Sequence, residues 1–433
     1  MTSPVSIRIR TYQVGFGDCF LLSFEYAEGA KHVLIDFGST GLPEGVPKTR
    51  MTAIAKSIAE RVGDNLVAVV ATHRHQDHIS GFAPAARGRG SGDIIRDLKP
   101  KLVLQPWTED PDLPTDATGP GGKAQGRLQA MGLHAASLAA MQETARALLA
   151  EAKRGRYLQY LPSGIKEQIG FLGENNLPNA GAVRNLMEMG RNEYLHAGKR
   201  SKLERQLPGV EVHVLGPPTV DQSAAVKKQR ATDPDQFWHM QAAAGSMLAL
   251  QPRGKVAPLF ADHVRARTSD GFPIDARWMI HHVRKARGDQ MLRIVRMLDK
   301  AMNNTSLILL FRTGGKSLLF PGDAQIENWA YALSDSRVQK MLRDVDLYKV
   351  GYHGSLNATP KDLWNLFAKR SKDDAPGRLA SLMSTMPGKH GSEERRTEVP
   401  RRTLKAALDK ESDLFSTEEL NPSELFHETV IKI

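Results

Sequence analysis

At 433 residues, with 41% hydrophobic and 25% charged side chains, the chain has the composition of a globular protein and the length for one large core with insertions or for two domains. That balance excludes a disordered or fibrous protein, and no run approaches the roughly 20 apolar residues that span a bilayer. A formal charge of +11 would draw polyanions such as nucleic acids, but the basic residues are spread out, with short clusters only at Lys199-Arg200, Lys227-Lys228 and Arg395-Arg396, so a solvated basic surface explains it equally well.

The single cysteine, Cys19, excludes an intramolecular disulfide and a thiolate zinc site, so any metal must be held by His, Asp and Glu. Met1–Arg10 lacks the apolar block of a secretory signal, and the chain reads as cytoplasmic.

Ser6–Tyr12, Cys19–Tyr26 and Lys31–Asp36 are β-rich runs separated by Gly15-Phe16-Gly17 and Glu28-Gly29, the punctuation of a meander. Met51, Ile54, Ala55 and Ile58 recur at helical spacing and predict a helix that Gly63 stops. Leu66–Val70 is wholly apolar, as a strand buried on both faces should be. Residues 106–208 change character: Pro111-Asp112-Leu113-Pro114 and Gly119-Pro120-Gly121-Gly122 mark a loop, and His134–Lys153 is Ala- and Leu-rich. This span predicts a helical insertion that covers the sheet, forms a dimer face or grips a substrate.

Strands return at Val210–Leu215, Leu307–Arg312, Lys316–Phe320 and Leu347–Val350, with Thr313-Gly314-Gly315 as a hairpin turn. Within residues 209–433, a second helical insertion over about 255–302 includes Ala276–Met302, and further helices are predicted at Ala324–Ala332, Pro360–Phe367 and Thr403–Leu408. Strands with covering helices occur both in residues 1–105 and in residues 209–433. The expected class is therefore α+β, as two packed sheets with helices outside them, a four-layer αββα sandwich with helical insertions.

Directly after the apolar run Leu66–Val70 comes His73-Arg74-His75-Gln76-Asp77-His78, in the loop at a strand's carboxyl end. Alternate residues of an extended chain point one way, so His73, His75 and Asp77 can converge while His78 turns to a neighbouring point. Imidazole and carboxylate suit Zn²⁺, and two ions roughly 3.5–4 Å apart can share and activate one water. Asp323, ending Leu318-Leu319-Phe320-Pro321-Gly322-Asp323, stands where a bridging carboxylate would be useful, although alone it reads equally as a helix N-cap. His353 lies among glycines in Val350-Gly351-Tyr352-His353-Gly354-Ser355, after another short apolar strand.

Val14-Gly15-Phe16-Gly17-Asp18, Leu34-Ile35-Asp36-Phe37-Gly38, the His motif, Pro321-Gly322-Asp323 and Gly351-Tyr352-His353-Gly354-Ser355 occur in an order that resembles metallo-β-lactamase-fold hydrolases. Within that superfamily the chain looks most like the hydrolase domain of bacterial competence DNA-uptake channel proteins and its free-standing cytoplasmic relatives, a likeness to which Asn303-Asn304-Thr305-Ser306-Leu307 adds. It covers about residues 6–105 and 210–390. The resemblance implies two Zn²⁺, with Mn²⁺ as a substitute. His73 and His75 would bind the first ion and Asp77 and His78 the second, with Asp323 bridging and His353 completing the second site; Asp77 and His78 would be the catalytic residues. Asp18 and Asp36 would support these ligands from behind.

Two departures stand out. Many members carry a further His between the first motif and the bridging Asp; Gln105-Pro106-Trp107 and His213 are candidates by position, His213 a poor one inside Val212-His213-Val214. Tyr352 stands where relatives often have a second His, so its hydroxyl would contact substrate or simply pack. His390, in Lys389-His390-Gly391, is a further candidate substrate contact.

The function expected is a binuclear metal-dependent hydrolase, a phosphodiesterase or nuclease acting on nucleic acid or nucleotide through a hydroxide shared by both ions. One alternative is hydrolysis of carboxylic esters, thioesters or lactams by the same centre. Another is a metal-binding scaffold or sensor whose helical insertions hold a protein partner or a second copy of the chain.

Overall fold

Ser6–Tyr12 alternates as a half-buried strand should: Ile7 and Ile9 are buried, while Arg8 and Arg10 face out and pair with Glu428 at 2.7 and 2.9 Å. The computed structural model describes residues 3–86, 88–113, 119–120, 179–219, 221–223, 303–355, 358–374, 376–391, 393 and 398–433. The helical expectations over His134–Lys153 and Ala276–Met302 fall outside these residues.

The first sheet contains β1 (Ser6–Tyr12), β2 (Phe20–Tyr26), β3 (Gly29–Ile35), β4 (Leu66–Val70), β5 (Leu102–Pro106), β6 (Arg191–Leu195) and the last strand, β13 (Phe426–Lys432). Their order is β13-β1-β2-β3-β4-β5-β6, antiparallel through β3 and parallel from β3 to β6. The second sheet holds β7 (Glu211–Gly216), β8 (Ile308–Thr313), β9 (Lys316–Phe320), β10 (Leu347–Lys349), β11 (Ala380–Met383) and β12 (Asp413–Ser416). It runs β12-β11-β10-β9-β8-β7, antiparallel from β7 to β9 and parallel beyond.

The structure thus has mixed α and β content in two mixed sheets. One apolar cluster takes residues from both sheets, including Ile7, Phe20, Val33 and Val70 with Leu309, Phe320, Leu347 and Leu382. A second joins the other face of the first sheet to α1 (Arg50–Val62), α3 (Ser91–Asp97) and α4 (Ala180–Glu188). A third joins the second sheet to α5 (Ile326–Ala332), α6 (Ser336–Arg343), α7 (Lys361–Leu366) and α8 (Arg402–Glu411). Among the described residues no helix is long and apolar enough to cross a membrane.

β1, β4 and β9 have the ends expected from the sequence, and α1 buries Ile54, Ala55 and Ile58 before Gly63, whose φ of 49° suits glycine. A difference lies inside the span 106–208 read as helical insertion. There β6 pairs in parallel with β5, so residues 191–195 belong to the first sheet. Its sequence, Arg-Asn-Glu-Tyr-Leu, hides the strand because its buried Glu193 is satisfied by the Ser201 hydroxyl at 3.0 Å and the Lys202 amide rather than by apolar neighbours.

His32, on β3, is a satisfied buried imidazole, with Nδ1 2.8 Å from the Ser23 hydroxyl across the β2–β3 pair. Burial, with Arg61 and Arg10 nearby, pushes its pKa down to about 4. The unfolded chain therefore takes up this proton near pH 6.5 and the folded chain only near pH 4, so stability falls as pH drops between those values. His32→Gln should reduce the acid loss between pH 7 and 4 by up to about 3 kcal/mol. Denaturant melts at both pH values test this; equal acid losses in variant and parent would contradict it.

Candidate metal centre

The strand ends, rather than the strands, carry the chemistry. Carboxyl ends of parallel strands meet at one rim, where open sheets place their ligand sites. Asp36 follows β3; Thr72, His73 and His75 follow β4, leading into α2 (Gln76–Ile79), which bears Asp77 and His78; Asp323 follows β9 and His353 follows β10. Backbone contacts lock these loops together. The Asp18 amide donates to the Asp77 carbonyl at 2.9 Å, Phe37 to His78 at 2.7 Å, Gly38 to Asp18 at 3.1 Å, and Leu307, just ahead of β8, to Thr72 at 2.9 Å.

Asp77, His78, Asp323 and His353 have ligand atoms that all lie within 4.8 Å of one another, and each is 0% exposed. The contacts cross from one sheet to the other. His78 Nε2 lies 3.0 Å from Asp323 Oδ2, and His353 Nε2 lies 3.0 Å from Asp77 Oδ2. The opposite nitrogens are fixed from behind: His353 Nδ1 donates to the Ser384 carbonyl at 3.0 Å, and His78 Nδ1 is 2.8 Å from Asp36 Oδ2. Asp36 is itself held by the Thr72 amide and hydroxyl, each at 2.7 Å. This is the arrangement by which a carboxylate or carbonyl orients an imidazole ligand.

Both nitrogens of each ring lie within hydrogen-bonding distance of an oxygen. Burial opposes the charged form of His78, but Asp323, Asp36 and Asp77 outweigh it and hold its pKa well above the usual imidazole value. His353 is raised in the same way, against burial, by Asp323 and Asp18. Despite their burial, Asp77 and Asp323 are held low by these imidazoles.

Such a group is electrostatically poised for a cation. Asp77 Oδ1 is buried and accepts no hydrogen bond, an orphan oxygen that a metal would satisfy. The group's two imidazole nitrogens and two carboxylates make a mixed donor set, unlike the all-oxygen cages preferred by Ca²⁺. These buried Asp and His residues are close enough together to hold a metal ion.

His73 and His75 are beside this group rather than in it. Their facing nitrogens, Nε2 and Nδ1, are 2.9 Å apart, slightly closer than the ~3.3 Å between two nitrogen ligands of one tetrahedral ion. The His73 and His78 rings are 4.1 Å apart, and burial, with the charges of His78 and His75, keeps the His73 pKa well below its ordinary value.

The remaining candidates separate. Asp18 is fully buried behind His353 and ion-paired with Lys349. Tyr352 acts through its main chain, its amide donating to Asp323 Oδ1 at 2.9 Å. His390 is near the centre, its ring 6.5 Å from Phe16, which in turn packs 4.4 Å from His353; burial and then His353 push the His390 pKa down to about 4. His213 is not brought to the centre: it lies on the β7 face opposite Val212 and Val214, 3.1 Å from Glu211. Gln105 bonds Asn192 and Trp107 bonds the Pro218 carbonyl, so neither supplies a further ligand.

Sequence reasoning passed over three residues: Thr72, Ser384 and Lys349. A lysine inside the buried run Leu347-Tyr348-Lys349-Val350 was the one visible signal.

Close approach makes Gly38 indispensable. A Cβ there would lie 2.4 Å from the Asp77 carbonyl carbon and the His78 nitrogen, against backbone that cannot yield without moving the motif. Gly38→Ala should cost about 1–3 kcal/mol and weaken metal binding. Calorimetric melting with a zinc titration checks both; unchanged values in both would refute the packing account.

The chain matches no protein-family model and no curated protein sequence, so its own chemistry carries the functional reading.

Proposed function

We propose that the chain is a metal-dependent hydrolase of phosphodiesters, with nucleic acid or nucleotide as substrate, built on a four-layer αββα sandwich of metallo-β-lactamase type. The carrying observation is the convergence, at the rim where both sheets end, of Asp77, His78, Asp323 and His353, fully buried and directed at one another. The three apolar clusters support the layer order, since one is shared by both sheets and the other two face helices.

In this reading His73 and His75 would hold one Zn²⁺ and Asp77, His78 and His353 a second, with Asp323 within reach of both and Mn²⁺ as a substitute. Divalent ions so held would activate water near neutral pH and offset charge developing at phosphorus. The chain's own groups do the positioning. Asp36, fixed by Thr72, keeps the His78 Nδ1 proton and presents Nε2 inward; the Ser384 carbonyl does the same for His353. The Tyr352 amide holds Asp323 Oδ1, leaving Oδ2 turned to the imidazoles. The +11 charge favours a polyanion over a neutral acyl substrate.

Zinc- or manganese-loaded protein should hydrolyse bis-p-nitrophenyl phosphate and at least one of single-stranded DNA, double-stranded DNA or RNA. Asp77→Ala should fall to background, and Asp36→Asn, which loosens the support of His78 from behind, should lose about 10–100-fold in activity or metal affinity. Turnover of carboxyl esters alone would replace the phosphodiester assignment, and no metal-dependent turnover on any of these substrates would defeat it.

A further inference from the structure

His78 has two sides. Its Nε2 faces Asp323 and Asp77, but its Nδ1 faces Asp18 and Asp36, with which it forms a second buried trio whose ligand atoms also lie within 4.8 Å of one another. By residue chemistry alone, either group could receive a cation. A lysine stands between them, closer to the carboxylate of the second. Lys349, 2% exposed at the end of β10, places its ammonium in an ion pair with Asp18 Oδ2, 3.5 Å from Asp323 Oδ1, and donates to the Gly322 carbonyl at 3.1 Å. Asp36 is saturated by Thr72 and His78, which leaves Asp18 as the carboxylate of the trio that depends on the lysine.

A buried ammonium survives only where carboxylates and hydrogen bonds repay its lost hydration, and a buried carboxylate is equally costly alone. Four carboxylates, Asp18, Asp36, Asp77 and Asp323, lie within this seam, so a fixed positive charge on one side of His78 decides where a mobile one can enter.

We propose that Lys349 is the built-in cation of the Asp18–Asp36–His78 trio: it takes the place a metal ion would take there, keeps Asp18 from acting as a ligand, and so confines metal to the Asp77–His78–Asp323–His353 side. Lys349 is a positioning residue in this account. It also steadies Asp323 through Oδ1, so that Oδ2 is the oxygen offered to the imidazoles. The confinement rests on the metal-centre reading above; the compensation of Asp18 by Lys349 does not.

The test uses the full chain as wild type, Lys349→Arg, Lys349→Met and the double variant Lys349→Met with Asp18→Asn. Zinc content after dialysis against Zn²⁺ is read by mass spectrometry, and melting temperature is read in EDTA. Lys349→Met should carry one Zn²⁺ more than the double variant and melt about 10 °C below wild type in EDTA, because it strands a buried carboxylate. The double variant should regain most of that melting loss and the wild-type zinc content, and Lys349→Arg should stay near wild type. Equal zinc content and equal melting in Lys349→Met and the double variant would overturn the proposal.

If Lys349→Met does not fold, the double variant decides. Folded with wild-type zinc it upholds the proposal, whereas folded without zinc, or unfolded as well, it overturns it. Should the wild type take up no zinc, the metal-centre reading fails, and the melting comparison alone still decides whether Lys349 compensates Asp18.

Discussion

Four carboxylates buried at the seam between two sheets set the terms for the rest of this molecule. Asp18, Asp36, Asp77 and Asp323 are all at most 1% exposed, and removing that much negative charge from water is affordable only with cations and hydrogen-bond donors close by. Lys349 answers part of the demand, and the backbone amides of Thr72 and Tyr352 another part. His78 and His353 answer a further part, with their pKa values raised against burial by the carboxylates around them. Perturbed titration of this kind, produced by specific partners in one cluster, is characteristic of functional sites as well as of structural ion pairs.

The backbone shows the same constraint. Asp36, Tyr352 and His353 adopt φ values of 56°, 45° and 51°, a region that non-glycine residues enter at a cost of about 1–3 kcal/mol each. All three lie in loops that deliver a group to the centre, and the interlocked amides of Asp18, Phe37 and Leu307 hold those loops in place. The apolar clusters beneath, rich in β-branched and aromatic side chains, give the rim the rigidity to sustain that strain.

Much of the scaffold was legible in the sequence because its strands are short, apolar and bounded by glycine or polar turns, as Leu66–Val70 and Lys316–Phe320 are. β5, β11 and β12 were not read as strands, and β6 and β13 were hidden because Arg191-Asn192-Glu193 and His427-Glu428-Thr429 satisfy their polar groups through neighbours that only the fold supplies. Site legibility divides in the same way. His73 to His78 announce themselves by spacing within one loop, whereas Asp323 reads alone as a helix cap until His78 is found 3.0 Å away. Lys349 was passed over because a single charge in an apolar run has no periodicity to reveal its partner; Tyr352 was singled out for its hydroxyl, whereas the contact that ties it to Asp323 is made by an amide that any residue but proline would supply.

The claim on which the account turns is that the neutralising charge completing this seam is a metal ion among Asp77, His78, Asp323 and His353. Anomalous X-ray scattering from crystals of the zinc-loaded chain, recorded on both sides of the zinc edge, addresses it directly. An anomalous peak is expected enclosed by those four residues, with a second toward His73 and His75 and none between Asp18 and Asp36. A map with no peak at the four-residue group, or with its strongest peak elsewhere in the molecule, would contradict it.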